Sequence, residues 1–224
     1  MLPAVGARFE RETGRHVSLT FGSSGNFFSQ IQNGAPFDLF LSADADYPRR
    51  LEAAGLVEPG SQHPYAIGTL VLYAATDAGL DLSRGLSVLT DQRVRRIAIA
   101  NPEHAPYGRA AVAALTHERL YDALRSKIVL GESITQAAQF VQSGNAQVGL
   151  LALSLAVAPA LRARGAYVEI PPALYPSMEQ AAIIVKSSRN KDGARAFLTF
   201  LDRPDSVREL KDAGFREPRS LAAR

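Results

Sequence analysis

Short apolar runs that stop at turn residues and open straight into helices recur along this chain, and they narrow its architecture sharply. Phe21-Gly22-Ser23-Ser24-Gly25-Asn26 reads as a strand end, a Gly/Ser turn and a helix start. Phe37–Leu41 reads as a buried strand that feeds a helix beginning at Ser42 or Asp44. Ahead of both, Leu2, Val5 and Phe9 mark one face of an opening helix closed by Gly14. Val17, Leu19 and Phe21 then alternate as a strand. Phe27 or Phe28 with Ile31 make a short helix ending at Asn33-Gly34, and a further helix runs through Leu51 and Ala54 to Gly55. Helix and strand alternate, so the expected class is α/β, with a mainly parallel sheet flanked by helices.

The same punctuation continues. Thr69–Ala75 reads as a strand, and polar Asp77–Arg84 as a crossing into a second lobe. There Ile97–Ala100 is a strand, and Asn101–Gly108 is a loop opening into an Ala-rich helix. Ile128 and Val129 suggest another strand. Ser133-Ile134-Thr135-Gln136 has the spacing of a capping box ahead of a helix containing Ala137, Phe140 and Val141. Val148–Leu153 is a buried strand whose following helix Ser154 can cap. Tyr167–Ile170 and Gln180–Val185 are strands, the second returning to the first lobe, and helices Asp192–Leu201 and Asp205–Ala213 follow, the second closed by Gly214. One crossing out and one back predict two lobes, residues 1–76 with 181–224 and residues 77–180, joined by two hinge strands.

At 224 residues with 46% hydrophobic content, the chain can bury two such cores. The net charge is only +3, and the basic residues (Arg93, Arg95, Arg96, Arg162, Arg164, Arg216) are dispersed, so no nucleic-acid partner is expected. The absence of cysteine excludes disulfides, thiolate metal sites and cysteine nucleophiles. No apolar run reaches the roughly 18 residues that a membrane span needs. No charged n-region and apolar h-region open the sequence.

Ser24, Ser42, Tyr107 and Ser133 all fall just after predicted strands, in both lobes, where α/β folds place their ligands. Helix N-termini there would present hydroxyls and N–H groups that stabilise an anion without any cation. Asp38 reads as a strand-edge acceptor and Asp44 as a helix cap rather than metal ligands. His104 reads as loop structure, since no paired carboxylates or Ser/His/Asp order accompany it. His16, His63 and His117 read as surface or strand-end residues, and Phe27, Phe28, Phe37 and Phe40 as core.

Three stretches together carry a family resemblance: Phe21–Gly25, Gly34–Asp44 and Asn101–Gly108, with Gly214-Phe215 near the end. From Phe9 to Phe215 the chain resembles the periplasmic molybdate-binding proteins of ATP-driven importers. The resemblance implies a two-lobed type II periplasmic binding protein that holds molybdate or tungstate as a tetrahedral dianion and delivers it to an ABC importer permease. It implies a monomer, a periplasmic location, no cofactor, and no metal except the molybdenum of the oxyanion. By position, Ser24 is the implied hydroxyl ligand with Gly25 assisting. Tyr107 and the Ile134 N–H stand in the second lobe, with Ser133 beside them. Two departures accompany it. Ala152 stands where many relatives carry a ligand tyrosine, for which Tyr107 is expected to substitute. The strand that precedes the first helix in the family, with its Ser or Thr ligand, has no counterpart, so Met1 is expected to be an internal or miscalled start with a signal peptide upstream. Alternative implied functions are a receptor for sulfate or phosphate and the effector-binding domain of a regulator. The regulator lacks its helix-turn-helix here. Enzymatic use of the fold, as in porphobilinogen deaminase, lacks its cysteine.

Overall fold

The helix α1 (Leu2–Thr13) ends where Gly14 takes φ +69°, a left-handed turn that only glycine enters at no cost. The computed structural model describes residues 2–218. They form two units, one made of residues up to Ile67 with those from Glu179 on, the other of Gly68–Met178.

In the first unit α1 is followed by extended chain, then α2 (Ser24–Gln32), β1 (Leu39–Ser42), α3 (Asp46–Ala53) and β2 (His63–Gly68). In the second come β3 (Leu70–Ala75), two 3-10 segments (Thr76–Ala78 and Leu82–Thr90) and β4 (Ile97–Ala100). They are followed by α4 (Pro106–His117), α5 (Tyr121–Leu124), β5 (Ile128–Gly131) and α6 (Ile134–Gln142). β6 (Val148–Ala152), α7 (Leu153–Ala156), α8 (Pro159–Arg162) and β7 (Gly165–Glu169) complete that unit. The chain returns through β8 (Met178–Ile184) to α9 (Lys191–Leu201) and α10 (Pro204–Asp212).

The first unit's sheet has the order β1-β8-β2, with β1 antiparallel to β8 from Leu39↔Ile184 to Ser42↔Ala181. Alternation along these strands feeds two cores. Ala182 and Ile184 pack with Val5, Phe9, Phe197 and Phe200, where Phe9 meets both other rings edge-on at 5.2 and 5.3 Å. Phe40 and Ile183 pack with Phe28, Ile31, Tyr47 and Leu51. Phe27 and Phe37 join that second core, as the sequence suggested.

The second unit's sheet has the order β5-β4-β6-β3-β7. β4 runs parallel to β5 and β6, while β3 runs antiparallel to β6 and β7. Every residue of β6 is buried, and Val71, Tyr73, Ala98, Leu151, Ala137 and Val141 share one core.

Four local expectations are corrected. Val17 and Leu19 are half-buried and Phe21 is exposed, and the three form no ladder; Val17 N–H donates instead to Glu10 Oε1 at 2.5 Å. Thr69–Ala75 does not belong to the first unit, because β3 finds a partner on each edge in the second unit's sheet. Asp77–Arg84 accordingly lies inside the second unit instead of leading into it. Ser154 does not cap α7, whose N-cap position is Ala152, without a side-chain bond. β2 was not legible in the sequence: Pro64 and the lack of clean alternation in His-Pro-Tyr-Ala-Ile-Gly hide it.

Beside β1, at the edge of its sheet, lies a cavity of about 540 Å³. Val17, Leu19 and Phe21 of the extended segment line it together with Phe37, Leu39 and Leu41.

Candidate functional site

In the first unit the Gly/Ser turn delivers a helix start. Ser23 is the N-cap of α2, with extended backbone and its hydroxyl accepting from Asn26 N at 3.3 Å. Ser24 and Gly25 are therefore the first helical residues, both buried. Ser24 Oγ accepts the Ala43 N–H at 3.0 Å, which ties the turn after β1 to the first turn of α2. A hydroxyl that accepts this bond still has its own proton to donate. The turn after β1 is held in its own right. Ser42, fully buried, donates to Asp44 Oδ1 at 3.2 Å, and the same oxygen accepts the Tyr47 N–H at 3.2 Å. Asp44 is thus a helix-capping group, and Ser42 is committed to supporting it. Tyr65 adds a third support, its hydroxyl donating to Gln180 Oε1 at 2.8 Å and lying 3.3 Å from the Ser42 carbonyl. Asp38 accepts from Ser188 Oγ at 2.6 Å, the strand-edge role expected of it.

In the second unit the parallel neighbours β4 and β5 are followed by α4 and α6, so two helix starts lie at the carboxyl ends of adjacent strands. α4 is seated against its own strand. A Cβ on Gly108 would stand 2.2 Å from the Ala100 carbonyl oxygen, so only glycine permits this approach. Pro106 begins the helix, where its missing N–H costs nothing, and Tyr107 is buried in the first turn. At α6, Ser133 is the N-cap, with its hydroxyl accepting Gln136 N at 3.2 Å. Only half of the expected capping box forms as written. The Gln136 side chain reaches past Ser133 and accepts the Glu132 N–H at 2.6 Å. Ser133 and Ile134 are half-buried.

The first unit thus brings Ser24 and Gly25 to the turn after β1, and the second brings Tyr107, Ser133 and Ile134 to adjacent strand ends. Sequence reasoning missed the bond from Ala43 to Ser24, which joins residues far apart in the chain. It also missed the displaced reach of Gln136. Among the described residues there is no group of three or more His, Asp or Glu side chains arranged to hold a metal ion. No helix among them is long and apolar enough to cross a membrane.

The family model of bacterial extracellular solute-binding proteins matches residues 1–216. The chain belongs to that family. Within it, the molybdate-binding protein ModA of Azotobacter vinelandii is 40% identical over 211 residues, covering 94% of this chain and 83% of that protein. The ModA of Rhodobacter capsulatus is 38% identical over 211 residues, covering 94% and 81%. The solved periplasmic molybdate-binding protein of Azotobacter vinelandii superposes with a TM-score of 0.90 at 37% identity, over 97% of this chain and 94% of that one. As in other members of such a family, function is expected to rest on binding a solute, and the arrangement above is one of dipoles and hydroxyls.

Proposed function

We propose that this chain captures molybdate, or its tungstate analogue, outside the cytoplasm and delivers it to the permease of an ABC importer. The proposed donors are the Ser24 hydroxyl and Gly25 N–H in the first unit, and Tyr107, Ser133 and the Ile134 N–H in the second. The observation that carries this reading is the Ser24 hydroxyl itself. It sits in the first turn of α2 and is oriented by the Ala43 N–H. Helix N-termini carry a partial positive charge, and bonds from neutral donors to a charged oxygen are strong. Neutral donors suit an oxyanion that must later be released, and a cage of fixed donors selects by size. The names of the relatives supply the identity of the anion.

The test is thermal unfolding with molybdate, tungstate, sulfate and phosphate at equal concentration. A ligand present at ~100 times its Kd stabilises by about 2.7 kcal/mol. Molybdate and tungstate are expected to raise the midpoint, and sulfate and phosphate to leave it in place. Ser24→Ala is expected to weaken molybdate binding by about 1–3 kcal/mol, measured by calorimetry, because one anion oxygen loses its donor. Unchanged affinity would remove Ser24 from the site.

A further inference from the structure

His104 was read in the sequence as loop structure, but its contacts give it more to do. Its Nε2 lies 3.1 Å from the Glu132 carbonyl oxygen and 3.2 Å from Glu132 Oε2. A carbonyl can only accept, so Nε2 carries the proton and donates. Glu132 immediately precedes Ser133, the N-cap of α6. In a trans peptide the C=O of one residue and the N–H of the next point in opposite directions. Holding the Glu132 carbonyl toward His104 therefore turns the Ser133 N–H away from it.

The neighbouring peptide is held just as firmly. The Gly131 carbonyl accepts the Asn101 N–H at 2.7 Å, and the Glu132 N–H goes to Gln136 Oε1 at 2.6 Å. Asn101 in turn ties the loop that carries His104, its carbonyl accepting the Ala105 N–H at 2.9 Å and its Oδ1 the Glu103 N–H at 3.0 Å. A Cβ on Gly131 would stand 2.6 Å from Ala137 N, so the turn has no room to relax toward α6. The loop ahead of α4 thus grips both peptides that lead into α6.

We propose that His104 is a positioning residue: by holding the Glu132 peptide it aims the first N–H groups of α6 and registers them against the start of α4. This rests on the oxyanion reading above and adds to it what sets the donors' direction. Gln136 fixes one side of the Glu132 residue from within α6, and His104 fixes the other from the loop before α4. Of the two, only His104 couples one helix start to the other.

The experiment compares His104→Ala with His104→Gln, whose side-chain amide keeps an N–H donor within similar reach. Molybdate affinity by calorimetry is expected to fall about tenfold in the alanine variant, the scale of one lost hydrogen bond, and to return to within about threefold in the glutamine variant. Without anion, the backbone amide resonances of Ser133 and Ile134 are expected to move in the alanine variant and return in the glutamine variant, with the thermal midpoint close to wild type in both. Alanine and glutamine variants that are equally weak, or an alanine variant that binds like wild type, would overturn the proposal. If the wild-type chain bound no oxyanion at all, the proposed function would fall, and the two amide resonances alone would decide the role of His104.

Discussion

A glycine stands at a helix start in each unit, and the two are surrounded differently. In the second unit a Cβ on Gly108 would press into backbone, 2.2 Å from the Ala100 oxygen. In the first unit a Cβ on Gly22 would meet only the edge of the Phe27 ring at 3.1 Å. The second unit seats the start of α4 by main chain against main chain, in a unit whose five-stranded sheet has a wholly buried central strand. The first unit seats its helix start by side-chain bonds, Ala43 to Ser24 and Tyr47 to Asp44, beside a cavity along an edge strand. Two ways of aiming a helix N-terminus therefore coexist in one chain. Backbone packed against backbone yields only by moving main chain, whereas side-chain bonds beside a cavity have room to adjust.

The largest effect that tests this contrast is a pair of alanines. Gly108→Ala is expected to lower the unfolding free energy by about 3 kcal/mol, because backbone on both sides must shift. Gly22→Ala is expected to cost under ~1 kcal/mol, since a ring can move a few tenths of an ångström. Equal losses in urea unfolding would erase the distinction. Next comes a pair in the apolar regions. Leu72→Ala, at a fully buried position of β3, is expected to cost about 3 kcal/mol, and Val17→Ala, facing the cavity, under ~1 kcal/mol. A costly Val17→Ala would mean that the extended segment is as tightly packed as the sheet.

The smallest effect concerns pH. In the first unit the Glu58 carboxyl is held below the usual glutamate range, chiefly by the bond from Lys191 and further by Arg195, at 2.6 and 2.8 Å. In the second, Asp91 is lowered further, chiefly by its side-chain bonds from Arg93. Lowered folded-state values mean that the unfolded chain takes up protons first on acidification. Both groups therefore contribute stability above the ordinary carboxylate range and lose it as pH falls through their folded-state values. Glu58→Gln is expected to make the acid side of the melting profile slightly shallower; a steeper profile would contradict the sign.

Much of this was readable because it is local. Gly14, Gly34, Gly55 and Gly214 all take positive φ at the helix ends where the sequence placed them. Ser133 caps α6 as its spacing required. The signals that failed depend on a partner. Val17, Leu19 and Phe21 have the right period for a strand, but a strand exists only with a ladder, and the Val17 N–H found the Glu10 carboxylate instead. Thr69–Ala75 was legible as a strand but not as to which sheet would take it, because that choice belongs to β6 and β7.

The amino-acid sequence by itself determined most of the helices and strands, most of the helix ends and the Ser and Gly residues that stand at the starts of α2 and α6. All of these follow from periodicity and from the backbone preferences of glycine, proline and serine within a few residues. Only the tertiary structure decided which strands share a sheet, that Ala43 orients Ser24, and that His104 holds the peptide before α6. Those bonds join residues distant in the chain, and no local preference encodes the geometry in which they meet.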